Sequence, residues 1–100
     1  MNADTFEPHV GSIFHVRHAL GHATGLRLIE INRIALTPTL EQFSLIFHGP
    51  PSDPLAQATY RFEHPTGGPW DLFIAPVTGS GAERMVYEAC FSRIIPASNA

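Results

Sequence analysis

Between Phe43 and Pro76 the chain reads FSLIFHGPPSDPLAQATYRFEHPTGGPWDLFIAP, and this stretch limits the possible folds most strongly. Three apolar-rich runs follow a two-residue period, which places alternate side chains on opposite faces of a strand. In Gln42–His48, Phe43, Leu45 and Phe47 share one face against Gln42, Ser44, Ile46 and His48. In Ala58–His64, Tyr60 and Phe62 oppose Thr59, Arg61 and Glu63; in Trp70–Ala75, Trp70, Leu72 and Ile74 oppose Asp71, Phe73 and Ala75. Between the first two runs, Gly49–Pro54 holds Pro50, Pro51 and Pro54. Each proline lacks an N–H and fixes φ, so this is an exposed, rigid loop. Between the second and third runs lies His64–Pro69, whose double glycine supplies the positive φ of a tight reversal. If the three runs form a simple meander, the two turns emerge at opposite ends of one sheet.

The rest of the chain extends this pattern. In Gly11–His18, Phe14 and Val16 fall on one face, and the turn Gly21–Gly25 predicts a hairpin. The run Leu26–Leu36 changes phase: Leu26 and Leu28 share one face, Ile29 and Ile31 the other. That break predicts a β-bulge near Leu28–Ile29, or a strand apolar on both faces, and strand is favoured over helix. After a glycine-serine loop at Val77–Glu83, the segment Arg84–Ile95 is the last strand, with Met85, Tyr87, Ala89 and Phe91 on one face. Residues 1–8 are expected to be a loose arm pinned by Phe6, and residues 96–100 a frayed tail. Six strands without a substantial helix predict an all-β fold, an antiparallel sandwich or small barrel. Six strands closing completely leave little interior room, so a ligand cavity is not expected.

One hundred residues suit a single domain, 1–100, large enough for a core without metal or disulfide support. The 44% hydrophobic and 15% charged content fits a compact globule. A formal charge of −3 argues against nucleic acid, which calls for a basic stripe. All six basic residues are arginine, which removes lysine Schiff-base chemistry. No apolar run approaches the roughly 18 residues of a membrane helix. The N-terminus MNADTFEPHV lacks the basic and apolar regions of a secretory signal, which predicts folding in the cytoplasm; incorporation into an extracellular or tail-like particle would need a route without such a signal.

Reactive residues are present without the spacing that chemistry requires. Six histidines invite a metal site, but His15 and His18 fall on opposite strand faces. His15 could meet His22 across the hairpin, yet no third ligand has a defined spacing. Lone Cys90 reads as a small strand hydrophobe; with Glu63 and His64 it makes the set an enzyme would have to use. Gly79-Ser80-Gly81 has neither the lysine nor the helix of a phosphate loop, and no cofactor is expected. Turn surfaces remain: His48, Gly49, Pro50, Pro51, Asp53 and Gln57 around the first loop, and His64 with Pro65 at the second, are the candidate protein contacts. A pre-ordered loop loses less entropy on binding. Prolines there can equally serve to blunt strand edges.

Five ordered motifs span nearly the whole chain: F-x-x-x-V-G-x-x-F at Phe6–Phe14, F-S-L-x-F-x-G-P at Phe43–Pro50, Q-x-x-Y-x-x-E-H-P at Gln57–Pro65, L-F-x-x-P-V at Leu72–Val77 and Y-E-A-x-F at Tyr87–Phe91. The set resembles the DUF6916 family, short bacterial proteins of about this length without an assigned activity. Gln57-Ala58-Thr59 lacks the glycine that often follows the glutamine there. The resemblance implies an accessory or structural role beside phage-tail-collar-like proteins. The expectation is therefore a non-enzymatic interaction module that binds itself or a tail-collar-like or fibre-like protein. A small-ligand or metal-binding barrel, built on the histidines and Trp70, is the alternative, and an enzyme using His64, Glu63 or Cys90 a second one.

Overall fold

The structure, a computed structural model, describes residues 2–18 and 21–96. A short helix α1 (Ala3–Phe6) runs into a 3-10 turn (Glu7–His9). Six strands follow: β1 (Ile13–Arg17), β2 (Ala23–Leu36), β3 (Leu40–Gly49), β4 (Ala58–His64), β5 (Gly67–Pro76) and β6 (Met85–Ile94). They form a closed antiparallel barrel in the order β1-β2-β3-β6-β5-β4, so of the two expected architectures the barrel is the one that forms. Closure is made by β4 on β1, through His15↔Glu63, Val16↔Phe62 and Arg17↔Arg61.

Two expectations need correction. Residues 42–75 are not a simple meander: β6, not β4, pairs with β3, and residues 50–57 cross to the far side of the barrel. The second turn is tighter than expected, because His64 already pairs with Gly67 and only Pro65 and Thr66 reverse the chain. The double glycine instead opens β5 beneath an aromatic ring. Gly68 has φ +73°, and a Cβ there would stand 2.7 Å from the Trp70 ring.

The inward faces are those that the alternation predicts. Phe14, Val16, Leu26, Leu28, Phe43, Leu45, Phe47, Phe62, Leu72, Ile74, Tyr87 and Ala89 fill the interior and are almost wholly excluded from water. In a barrel this narrow, side chains occupy the lumen. The phase change in β2 is a bulge: Leu28 pairs with Phe47 and Glu30 with Ile46, leaving Ile29 without an opposite residue. That slip turns Ile31 toward the core, which strict alternation from Leu28 would not do. A second irregularity falls at Ile34.

Where a loose arm was expected, residues 2–9 stopper one end of the barrel. Asn2 and Thr5 form a reciprocal cap, the Asn2 side chain accepting from the Thr5 amide at 2.9 Å and Thr5 Oγ1 from the Asn2 amide at 3.1 Å. This starts a helix too short to persist alone, and packing does the rest. Phe6 is fully buried, its ring 5.2 Å from Trp70 and 5.9 Å from Phe91. Arg33 reaches from β2 to Asp4 (2.9 Å) and Glu7 (3.2 Å) on the solvent side. Of the expected frayed tail, residues 97–100 lie outside the described residues.

β2, β3 and β6 outrun their neighbours. β1 pairs with β2 only over Ala23–Arg27, and β5 pairs with β6 only at Tyr87 and Glu88. Beyond those points the three long strands continue as a three-stranded lip, contributing to extents of 50 × 27 × 22 Å. The radius of gyration, 14.4 Å, exceeds the ~13 Å of a compact 100-residue domain. Among the described residues no helix is long and apolar enough to cross a membrane.

Candidate interaction surface

The proline loop is anchored from both sides. Leu55 turns inward and is buried, and its amide donates to the Tyr87 hydroxyl at 2.8 Å inside the barrel. Tyr60 Oη donates to the Ala56 carbonyl at 2.7 Å. Gly49 starts the crossover where a Cβ would run into the buried Leu26 side chain and press on the Tyr87 ring, so a larger residue there would have to displace core side chains. On the outer side, Asp53 Oδ2 accepts from the Thr24 hydroxyl and lies 3.2 Å from His18 Nε2, which is itself 2.9 Å from Thr24 Oγ1. Donation by Thr24, followed by the nearby His18, holds the Asp53 carboxyl below its ordinary range.

This threonine-histidine-aspartate group is a clip and lacks the geometry of a nucleophile relay. A relay uses the two imidazole nitrogens in turn, one toward the hydroxyl and the other toward the carboxylate. Here both contacts converge on Nε2. The clip leaves Pro51, Ser52 and Pro54 as the exposed crest of the loop, with Gln57 exposed beyond it and His48, Gly49, Pro50 and Asp53 half-buried at its base.

His64 and Pro65 sit at the other end of the barrel, beside the N-terminal stopper. The candidate contacts are therefore split into two groups. His64 Nδ1 accepts from the Thr66 amide at 3.2 Å, so it carries no proton there and acts as a turn acceptor. Its ring lies 4.3 Å from that of His9. Burial foremost, then the charges of His9 and His15, lower its pKa. A shallow cleft of about 280 Å³ runs past Glu63, His64, Pro65, Gly67, Gly68 and Pro69. Glu63 is committed to Arg17 at 2.5 Å. Cys90 is not part of the cleft: it lies on β6, opposite Ser44 of β3, and burial followed by Glu88 pushes its thiol pKa up.

The six histidines do not gather at one site: His9 and His64 pair at one end of the barrel and His18 and His22 at the other. His15 faces Gly25 and Glu63 in the strand register, and it is His18 whose ring stacks on His22, at 6.0 Å. Among the described residues no group of three or more His, Cys, Asp or Glu side chains could hold a metal ion.

A surface that the residue-by-residue reading missed is the lip. Ile34, Leu36 and Ile94 are 63%, 72% and 81% exposed, the largest values among the apolar residues there. One signal was available in the sequence. The 11-residue run Leu26–Leu36 faces a first strand of only eight residues at most, so part of it must outreach its hairpin partner.

A family described as a domain of unknown function, DUF6916, matches residues 1–91. No curated protein and no solved structure matches the chain.

Proposed function

The chain belongs to the DUF6916 family, and from that premise we propose that it is a non-enzymatic structural module, associating with itself or with a phage-tail-collar-like or fibre-like protein. The observation that carries this reading is the lip, three strands that leave the barrel with, among the described residues, no strand beside their outer edges and with Ile34, Leu36 and Ile94 in water. Unpaired edges are ready templates for another chain, and natural proteins ordinarily protect them. The barrel supports the same reading. Its interior is filled by Phe, Leu, Ile and Tyr side chains, with Phe6 at one end and Leu55 at the other, so contact chemistry falls to edges and loops.

Gel filtration with light scattering, on the chain alone and mixed with a phage-tail-collar-like protein, tests the proposal. A mass above that of the monomer in either sample supports it. A monomer that ignores the second protein overturns it.

A further inference from the structure

β6 offers a strand edge whose backbone directions can be read from two hydrogen bonds. The Ile95 amide donates to the Thr39 carbonyl, on the β3 side, at 2.8 Å. The Val77 amide donates to the Val86 carbonyl, on the β5 side, at 2.9 Å. N–H and C=O of one strand residue point the same way, and the direction alternates along an antiparallel strand. Odd-numbered residues of β6 therefore bond β3, and Glu88, Cys90, Ser92 and Ile94 point away from it. β5 meets that outer edge only as far as Glu88, opposite Ala75. Among the described residues Cys90, Ser92 and Ile94 are left with no strand beside them.

Among the described residues no strand pairs with the outer edge of β2 beyond Leu28 either, but irregularities at Ile29 and Ile34 interrupt that strand, Glu30 and Arg33 put charges along it, and Arg33 is held by Asp4 and Glu7 of the N-terminal segment. Bulges and charges blunt an edge. β6 has no bulge, and its one charge beyond Glu88, Arg93, is on a residue whose backbone faces β3 and is paired with Glu41 at 2.8 Å. It pairs with β3 through an unbroken register from Leu40↔Ile94 to Gly49↔Met85, and the exposed side chains of its outer-edge residues beyond Glu88 are the uncharged Cys90, Ser92 and Ile94.

We infer that β6 pairs antiparallel with β6 of a second copy about a two-fold axis at Ser92, joining two lips into one sheet ordered β2-β3-β6-β6-β3-β2. The register follows from the free groups. Centred on Ser92, Ser92 faces itself and Cys90 faces the partner's Ile94, so all three free residues bond and none already held by β5 is needed. Centred on Cys90, the ladder would require Glu88 and Val86, which β5 and its following loop already occupy. The Ser92 register also brings the highly exposed Ile94 onto the partner's Cys90 and places Phe91 opposite the partner's Arg93, so no like charges meet. A two-fold contact of this kind closes on itself and stops at a dimer.

This inference rests on the self-association branch of the proposed function, and two variants of the full chain test it separately. Light scattering should give the wild type twice the 11.0 kDa of one chain. Ser92→Pro, at a position where an edge strand tolerates proline, removes an outward donor and no backbone bond to β3, only the exposed side-chain contact in which Gln42 Nε2 donates to Ser92 Oγ at 3.5 Å. It should be monomeric with the wild-type circular dichroism spectrum. Ile94→Cys, oxidised, should form an interchain disulfide between position 94 and Cys90 of the other copy, identified by mass spectrometry of the linked peptides. Within one chain those positions are ~13 Å apart along the strand, beyond disulfide reach. A dimer that persists in a folded Ser92→Pro variant overturns the inference and leaves self-association standing. A 94–94 or 90–90 cross-link, or assemblies larger than two, overturns it too. A wild-type monomer removes both the inference and the self-association branch; if Ser92→Pro fails to fold, the Ile94→Cys cross-link decides alone.

Discussion

The hydroxyl of Tyr87 accepts the amide hydrogen of Leu55 at 2.8 Å, a bond from β6 to the middle of the crossover loop inside the barrel's closed end. It reconciles two requirements. The loop has to bury Leu55 to stopper the barrel, and a buried amide without a partner is unfavourable. Tyr87 supplies that partner from a strand that the loop never joins as a ladder.

Tyr87→Phe keeps the ring and removes the acceptor. It should lower stability by about 1–3 kcal/mol, the range for a buried donor left unpaired, measured as a lower urea midpoint with an unchanged slope. Burial holds the Tyr87 pKa above its ordinary value. The unfolded chain releases this proton near pH 10, while the folded chain keeps it to higher pH. The contribution is therefore full below about pH 10 and lost as the pH rises toward the folded value. Alkaline destabilisation should be weaker in Tyr87→Phe than in the wild type.

Phe6→Ala tests the N-terminal stopper. Phe6 is fully buried against Phe43, Trp70 and Phe91. Truncating it should destabilise the fold by about 3–5 kcal/mol, the range for a buried phenylalanine. The half-buried Trp70 ring, only 5.2 Å from Phe6, should gain water contact, so its fluorescence emission should shift to the red before unfolding begins. An unshifted spectrum with wild-type stability would show that residues 2–9 are dispensable.

Thr24→Val removes the hydroxyl that donates to Asp53 while keeping the side chain's shape. Because that donation is the foremost cause of the depressed Asp53 pKa, the carboxyl should titrate at higher pH in the variant, read by carbon-detected NMR. The group's folded pKa lies below its unfolded one, so its contribution is present above about pH 4 and fades as the pH falls through the folded value. Protease cleavage within residues 50–57 should thus rise on acidification, and should already be elevated at neutral pH in Thr24→Val.

Period-two alternation made the barrel wall legible, because a strand with one buried face leaves little freedom in which residues turn inward. Phe43, Leu45 and Phe47 are examples, as is the bulge at Ile29, where the apolar phase breaks in the sequence itself. Pairing order was not legible. Alternation in β3 and β4 says which face is apolar and nothing about whether the two strands are neighbours; the crossover is decided by Leu55 finding the barrel's end and Tyr87 meeting its amide. The N-terminal helix was hidden for a similar reason: four residues carry no readable period, and Phe6 is held by rings from β3, β5 and β6 that are distant in the chain. The lip is a property of unequal strand lengths, which individual residues do not disclose.

His64 makes the last test, at the end of the barrel opposite the crossover. Its Nδ1 accepts from the Thr66 amide, its ring packs against His9, and His15, Glu63 and Arg17 are the other titratable or charged groups around it. Burial and the two neighbouring histidines favour its neutral form in the fold. The unfolded chain takes up this proton near pH 6.5, so the contribution is full above that value and lost as the pH falls through the lower folded pKa. Between pH 7 and pH 5 the melting temperature should fall more in the wild type than in His64→Asn. Asparagine keeps a carbonyl acceptor for the Thr66 amide and removes the charge. If both proteins respond equally to pH, the His9–His64 contact has no part in acid sensitivity; if the asparagine variant is much less stable already at pH 7, the imidazole's packing on His9 and Phe14, 5.0 Å away, outweighs its titration.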